Sequence, residues 1–255
     1  MVGWVGMNIS CATAIRSIAN KPGNGRSGFN QAVYNDVRAG LVAPDLQPAI
    51  WRFSGTREYA WTCFRIGPEP DIPFSDTQFP VEAFEESVQR GIPEVRPSDW
   101  TTNPQTTQDP TPKRLSELAV GLKGAVLMGH SGTGGFPLLA ALLNPEVVKG
   151  AILLEPAYCG QSFTDSEIQT LMGVPILAVF GDHLEQGYQP YLENCQTMIS
   201  RVNAAGGNAQ LLYPPDLGIV GNTHMLMEDK NSNQIADLIM KWIDENVDRR
   251  RVAEK

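Results

Sequence analysis

Leu127-Met128-Gly129-His130-Ser131-Gly132-Thr133-Gly134-Gly135 decides the reading of this chain. The run that leads into it, Ala125-Val126-Leu127-Met128, is wholly apolar, the pattern of a parallel strand buried on both faces. Gly129 to Gly135 predicts a sharp turn, and Phe136 to Leu143 a helix that Asn144-Pro145 stops. A strand that turns so abruptly into a helix needs small residues round its apex, because the backbone at the serine is strained and its neighbours crowd one another. Such a turn lifts the Ser131 hydroxyl to the edge of the sheet and aims the Gly132 amide, at the helix start, where an oxyanion would form. The strict form of the pattern has glycine two residues after the serine; here Thr133 stands there, followed by Gly134-Gly135. A glycine-rich phosphate loop, or a plain tight turn, is the competing explanation of the same letters.

Outward from the turn, strands and helices alternate. Pro112 to Leu122 predicts a helix with Leu115, Leu118, Ala119 and Leu122 on one face. Ala151-Ile152-Leu153-Leu154, Pro175 to Phe180 and Ala209 to Tyr213 read as three further strands. Pro190 to Ala205 reads as a helix closed by Gly206-Gly207, and Ile235 to Val247 as a terminal amphipathic helix with Leu238, Ile239, Trp242 and Ile243 inward. That alternation is the signature of an α/β fold with a doubly wound, mostly parallel sheet. At 255 residues the chain suits a single domain, 1–255. The stretch from Ser27 to Lys113 is far longer than one crossover helix, so a cap or lid insertion is expected within residues 28–112.

Composition removes several classes. With 20 basic and 28 acidic residues the net charge is −8, which argues against nucleic acid as a partner. The basic cluster Arg249-Arg250-Arg251 reads as a solvated tail. No apolar run approaches the roughly 18 residues that span a bilayer. Met1 to Ser10 has no basic region followed by an apolar stretch, so no leader is expected; the default is cytoplasmic, and secretion would require a longer natural N-terminus. Asn8-Ile9-Ser10 matches a glycosylation sequon, a weak signal alone. Four cysteines are too few and too scattered for a disulfide scaffold or a zinc ribbon.

A serine hydroxyl needs a base, and the chain has 3 histidines. His130 adjoins the serine, where the direction of the chain points its side chain away. His183 ends a strand. His224 lies in the loop between the last strand and the last helix, where a doubly wound sheet brings a base back over the turn. The base in turn needs a carboxylate to fix its tautomer. Glu155 and Asp182 both end central strands, and these residues alone leave either open. Asp182 sits where most hydrolases of this architecture carry the acid, although a turn-capping aspartate would look the same. Glu155 is the odder residue, because a carboxylate ending a run of buried aliphatics is desolvated unless paired.

With these residues in place, the chain resembles the α/β-hydrolase superfamily, and within it a group of microbial carboxylesterases whose acid is a glutamate on the strand after the nucleophile. The matching stretches are Gly25-Arg26-Ser27, Phe64-Arg65-Ile66-Gly67-Pro68, Asp76-Thr77-Gln78-Phe79-Pro80, the serine turn, Leu154-Glu155-Pro156, Val179-Phe180-Gly181-Asp182-His183, and Gly221 to Asn231. The resemblance implies a serine carboxylester hydrolase acting on a small- to medium-chain ester, with Ser131 as nucleophile, His224 as base, Glu155 as acid and Gly132 as one oxyanion donor. It implies no cofactor and no metal, and leaves Asp182 as a supporting residue or alternative acid. Both Cys159 and Cys195 match the family as well. The loops that carry them neighbour each other at the carboxyl edge, and a bridge or two buried thiols are the alternatives there. Aromatics in the cap region (Trp51, Phe53, Tyr59, Trp61, Phe64, Phe74, Phe79) are read as an acyl pocket or, more often for such stripes, as core.

One departure matters. Only 24 residues precede Gly25, with room for one strand over Ala12 to Ala19, and no histidine precedes His130. The first strands and the loop that supplies a second oxyanion amide are therefore expected to be missing, and one lost donor costs about 10²–10³ in turnover. That expectation motivates a rival, a catalytically impaired or dead binding protein of the same fold, and exposed sheet edges would favour a homo-oligomer. A metal-dependent hydrolase using Asp182, His183 and His224 fits no zinc spacing.

Overall fold

The computed structural model describes residues 50–51, 57–89, 95–96, 106–108 and 110–247. The expectations for the N-terminal segment (the absent leader, the Asn8 sequon, the strand over Ala12 to Ala19, Gly25-Arg26-Ser27), for the basic tail and for much of the cap region lie outside these residues.

Strands β1 (Ile50–Trp51) and β2 (Val95–Arg96) form a short antiparallel pair. The main sheet is built from β3 (Ala125–His130), β4 (Val148–Leu154), β5 (Ile176–Val179) and β6 (Ala209–Leu212), all parallel and in sequence order. The α-helices are α1 (Arg57–Cys63), α2 (Phe84–Gln89), α3 (Pro110–Gly121), α4 (Phe136–Leu143), α5 (Asp165–Leu171), α6 (Gln189–Ala204) and α7 (Ser232–Asn246).

The pleat explains why Ala151–Leu154 of β4 and Ile176–Val179 of β5 are apolar without a break. Ala151 and Leu153 of β4 face a core shared with α4, α5 and α6, whereas Ile152 and Leu154 face the opposite core, closed by α7. Ile176 and Ala178 of β5 divide from Leu177 and Val179 in the same way. Both faces are covered, so both sets of alternate residues must be apolar. On α7 the buried residues are Ile235, Ile239 and Trp242, one stripe at helical spacing; Ile243 packs beside them and Leu238 does not reach the core.

Two further local features depart from expectation. On α3 the inward face is Pro112, Leu115, Ser116 and Ala119, while Leu118 and Leu122 are exposed. Ser116 takes the place given to Leu118 because its hydroxyl accepts a hydrogen bond from Asn144 Nδ2 at 2.5 Å, which satisfies a polar group at the buried α3–α4 contact. The second change is α5, which periodicity does not mark. Its start is written instead in a capping box: Thr164 accepts from the Glu167 amide, and the Glu167 carboxylate accepts from the Thr164 amide.

Residues 57–89 pack at the carboxyl end of the sheet. Trp61, Phe64, Ile66, Phe79 and Phe84 form a third apolar cluster with Met225. Trp61, Phe64 and Phe79 are thus core, and Tyr59 is exposed. Backbone bonds fasten this segment to the loop after β6: Gln78 donates to Gly221 O (2.8 Å), Lys230 donates to Gln78 O (2.8 Å), and His224 donates to Phe64 O (2.9 Å). Gly221 is required at that seam, since its φ is +76° and a Cβ there would lie 1.8 Å from the Asp76 carbonyl oxygen.

Gly221→Ala is therefore expected to lower stability by about 2–4 kcal/mol, combining left-handed strain with overpacking. Gly121→Ala, at the end of α3 with nothing within 4 Å of a Cβ, should be neutral or stabilising by up to about 1 kcal/mol. Urea unfolding of the two variants beside the parent chain checks the contrast.

Candidate active site

Three strained backbone positions converge where β3 and β4 end. Ser131 has φ +55°, Glu155 φ +47° and Arg65 φ +57°, each in the left-handed region that a side chain disfavours. The strain at Ser131 is enforced by a tight turn. A Cβ on Gly129 would lie 2.4 Å from the Thr133 carbonyl oxygen, and one on Gly134 would lie 2.5 Å from Pro156 Cα. The Ser131 carbonyl accepts from the amides of Gly134 (2.9 Å) and Ala157 (3.0 Å), which locks the turn against the segment after β4. Thr133 is accommodated because the crowding falls on Gly129 and Gly134; its hydroxyl donates to His130 O at 3.0 Å and closes the turn.

The turn sets Ser131 Oγ 2.9 Å from His224 Nε2, and His224 Nδ1 lies 3.1 Å from Glu155 Oε2. All three residues are 2% exposed. Of the two carboxylates that end strands, Glu155 is the one against His224. Asp182 turns the other way: its Oδ1 accepts the His183 amide (2.7 Å) and its Oδ2 the Gly221 amide (3.0 Å), so it braces the loop after β5 against the loop of His224. Gly132 follows Ser131 in the 3₁₀ turn Ser131–Thr133 that opens the helical segment.

The electrostatics fix protonation states. Burial by itself pushes the Glu155 carboxyl up, but Arg65 and His224 together outweigh it and hold the group at about 2, so it is ionised. Burial lowers His224, outweighing the attraction of Glu155, and Arg65 adds to the lowering. A neutral His224 beside an ionised Glu155 carries its proton on Nδ1, which leaves Nε2 free to accept the Ser131 hydroxyl proton.

Sequence reasoning misses several supports of this arrangement. His130 does point away from Ser131, but not into neutral surroundings: its Nε2 donates to the His224 carbonyl at 2.7 Å, and the two rings lie 4.8 Å apart. Burial pushes His130 down to about 3, so it stays neutral beside the His224 ring. Asp229 accepts the Thr223 amide (2.8 Å), the Thr223 hydroxyl (2.8 Å) and Asn222 Nδ2 (2.9 Å), and so ties down the residues just before His224. Burial raises Asp229 to about 6. Arg65 is fully buried and donates to Glu155 Oε1 at 2.6 Å. A charged residue between Phe64 and Ile66, in an otherwise apolar stretch, was the available signal.

Cys159, four residues past Glu155, lies beside Cys195 of α6, with the two Cα atoms 5.1 Å apart, a distance a disulfide spans. Asp76, Asp182 and His183 bring one metal-ligand atom each within 4.8 Å of one another. Their atoms are engaged without an ion: His183 Nε2 lies 2.9 Å from Asp76 Oδ1, its ring stacks on Phe74 at 3.6 Å, and both Asp182 oxygens accept amides. His224 is not part of that group, so the structure does not assemble the Asp182, His183 and His224 set.

No family model and no curated protein matches the chain. Among solved structures it is similar to a novel bacterial esterase known at atomic resolution, with 38% identity and a TM-score of 0.72, over 87% of this chain and 67% of that one. The four-stranded parallel sheet with helices on both faces is consistent with an α/β-hydrolase-like fold. The chain belongs to the family of hydrolases that this bacterial esterase represents.

Proposed function

We propose that the chain is a serine carboxylester hydrolase in which Ser131 is the nucleophile, His224 the general base and Glu155 the acid that orients it. The observation that carries this reading is the continuous relay of 2.9 Å and 3.1 Å contacts from Ser131 Oγ through the His224 ring to Glu155 Oε2, all three residues buried. His224 Nε2 takes the hydroxyl proton as Ser131 Oγ bonds to the ester carbonyl carbon. The charge that develops on the carbonyl oxygen faces the Gly132 amide. Collapse expels the alkoxide, which receives the proton from His224, and leaves an acyl-serine. Water then repeats the sequence, with His224 again accepting and returning the proton, to release the acid and restore the hydroxyl. Throughout, the ionised Glu155 stabilises the imidazolium without itself taking the proton.

The likeness to a bacterial esterase supports the ester as substrate, and a small or medium acyl chain is the class to try first. Within the same reading, Cys159–Cys195 is a disulfide that ties the segment after Glu155 to α6.

Hydrolysis of a chromogenic butyrate ester is the test. Ser131→Ala should lower kcat by about 10⁴-fold or more. A folded parent chain with no turnover would instead favour the catalytically dead binding protein. Glu155→Gln should lower kcat by about 10³–10⁴-fold with little change in KM, because the tautomer of His224 is no longer fixed. Asp182→Asn should leave kcat within about tenfold and lower stability by about 1–3 kcal/mol, since the amide cannot accept at both oxygen positions. The converse ranking would make Asp182 the acid.

The pH profile follows from the burial of His224. The reactive form has neutral imidazole, and burial resists protonation, so activity persists to lower pH than for a free imidazole. The acidic limb of kcat/KM should have its midpoint below 6.5.

A further inference from the structure

Glu155 has two oxygens and only one faces the base. Oε2 meets His224 Nδ1, whereas Oε1 accepts from Arg65 Nη2 at 2.6 Å and from the Gly181 amide. Arg65 is itself held at a second point, its Nε donating to the Asp182 carbonyl at 2.7 Å, and its guanidinium lies over the Tyr188 ring at 4.5 Å. The residue before it holds the other partner: Phe64 O accepts from the His224 amide at 2.9 Å, and the Phe64 and His224 rings run nearly parallel, 11° apart. One dipeptide thus grips the acid through a side chain and the base through the backbone.

We propose that Arg65 is the positioning residue of this active site: by fixing one oxygen of Glu155 it aims the other at His224, and it sets a positive charge against that buried carboxylate. The inference rests on the reading of Ser131, His224 and Glu155 given above.

Stability alone does not account for Arg65. A buried ion pair loses the hydration of both charges, and an apolar pair of similar volume is often as stable or more so. Among the described residues the guanidinium also leaves Nη1 buried with no hydrogen-bond partner, a further loss. The chain also holds Arg65 at φ +57° to keep it there.

The other titratable groups round the pair do not supply the charge. His130, beside the base, is kept neutral by its burial. Tyr188, beside α6, stays a phenol because burial pushes it up, and its hydroxyl donates to Cys63 O. Asp229 and Asp182 are carboxylates turned to the backbone of neighbouring loops. Activity requires Glu155 ionised and His224 neutral together, so the proton that inactivates the pair binds to the two as a unit. A neighbouring cation opposes that proton. Its removal raises the proton affinity of the pair whichever member takes it, and the acidic limb moves to higher pH.

The experiment compares Arg65→Met, Arg65→Lys, Ser131→Ala and the parent chain, each checked for folding by circular dichroism, in butyrate hydrolysis across pH. For Arg65→Met we expect kcat lowered by about 30-fold or more with KM within about threefold, and the acidic limb moved up by about 1–3 pH units, the span of a close opposite charge. Arg65→Lys should keep the limb near the parent position while kcat stays at least about tenfold down, because an ammonium lacks the fork that reaches both Glu155 and the Asp182 carbonyl. A folded Arg65→Met with kcat and limb unchanged overturns the proposal. If Arg65→Met does not fold, Arg65→Lys decides, and kcat within threefold of the parent overturns it. Activity that survives Ser131→Ala, or a parent chain without turnover, contradicts the acyl-enzyme reading rather than the role of Arg65. The downfield proton resonance of His224 Nδ1 then judges Arg65 alone: present in the parent and in Ser131→Ala and lost in Arg65→Met supports it, and unchanged in Arg65→Met overturns it.

Discussion

The rest of the structure is arranged around one ionised carboxylate buried to 2% exposure. Glu155 ends a strand of buried aliphatics, where an unpaired charge would be expelled or protonated. It is kept by bonds from three separate parts of the chain: Arg65 in the segment after α1, Gly181 beyond β5, and His224 beyond β6. Each bond fixes the loop that supplies it, so meeting the electrostatic demand of one side chain also sets the relative positions of the loops at the carboxyl edge.

Those loops are costly to hold. Left-handed backbone at Ser131, Glu155 and Arg65 stores about 1–3 kcal/mol per residue. What offsets it is the sheet, whose central strands β4 and β5 are buried on both faces and whose neighbouring ends are tied by amides, such as Glu155 N to Val179 O at 2.8 Å. A rigid parallel sheet with strained ends is a division of labour: the apolar layers supply stability, and the carboxyl edge spends part of it on geometry.

Much of this was legible in the letters because two-sided burial writes itself as continuous apolar runs; β3 to β5 fall where those runs lie. The serine turn was legible because only glycine fits at 129 and 134. The choice between Glu155 and Asp182 was not, from the residues alone, since both end strands and only the direction of the side chains separates them. The helix α5 and the Ser116 face of α3 escaped because they depend on a cap and on a polar contact rather than on periodicity. Arg65, His130 and Asp229 escaped for a different reason. Each touches its partner across a separation of at least 90 residues or through a turn, and an isolated charged or imidazole side chain carries no mark of where it will be buried.

The central claim is that Ser131 is made nucleophilic by His224 and Glu155 in the folded chain. Labelling with a fluorophosphonate probe, mapped by mass spectrometry, addresses it most directly, because the probe bonds to an activated serine and needs no knowledge of the natural ester. The account predicts one label per chain, on Ser131, and none after unfolding in urea. A folded chain that takes no label, or takes it at another residue, would contradict it.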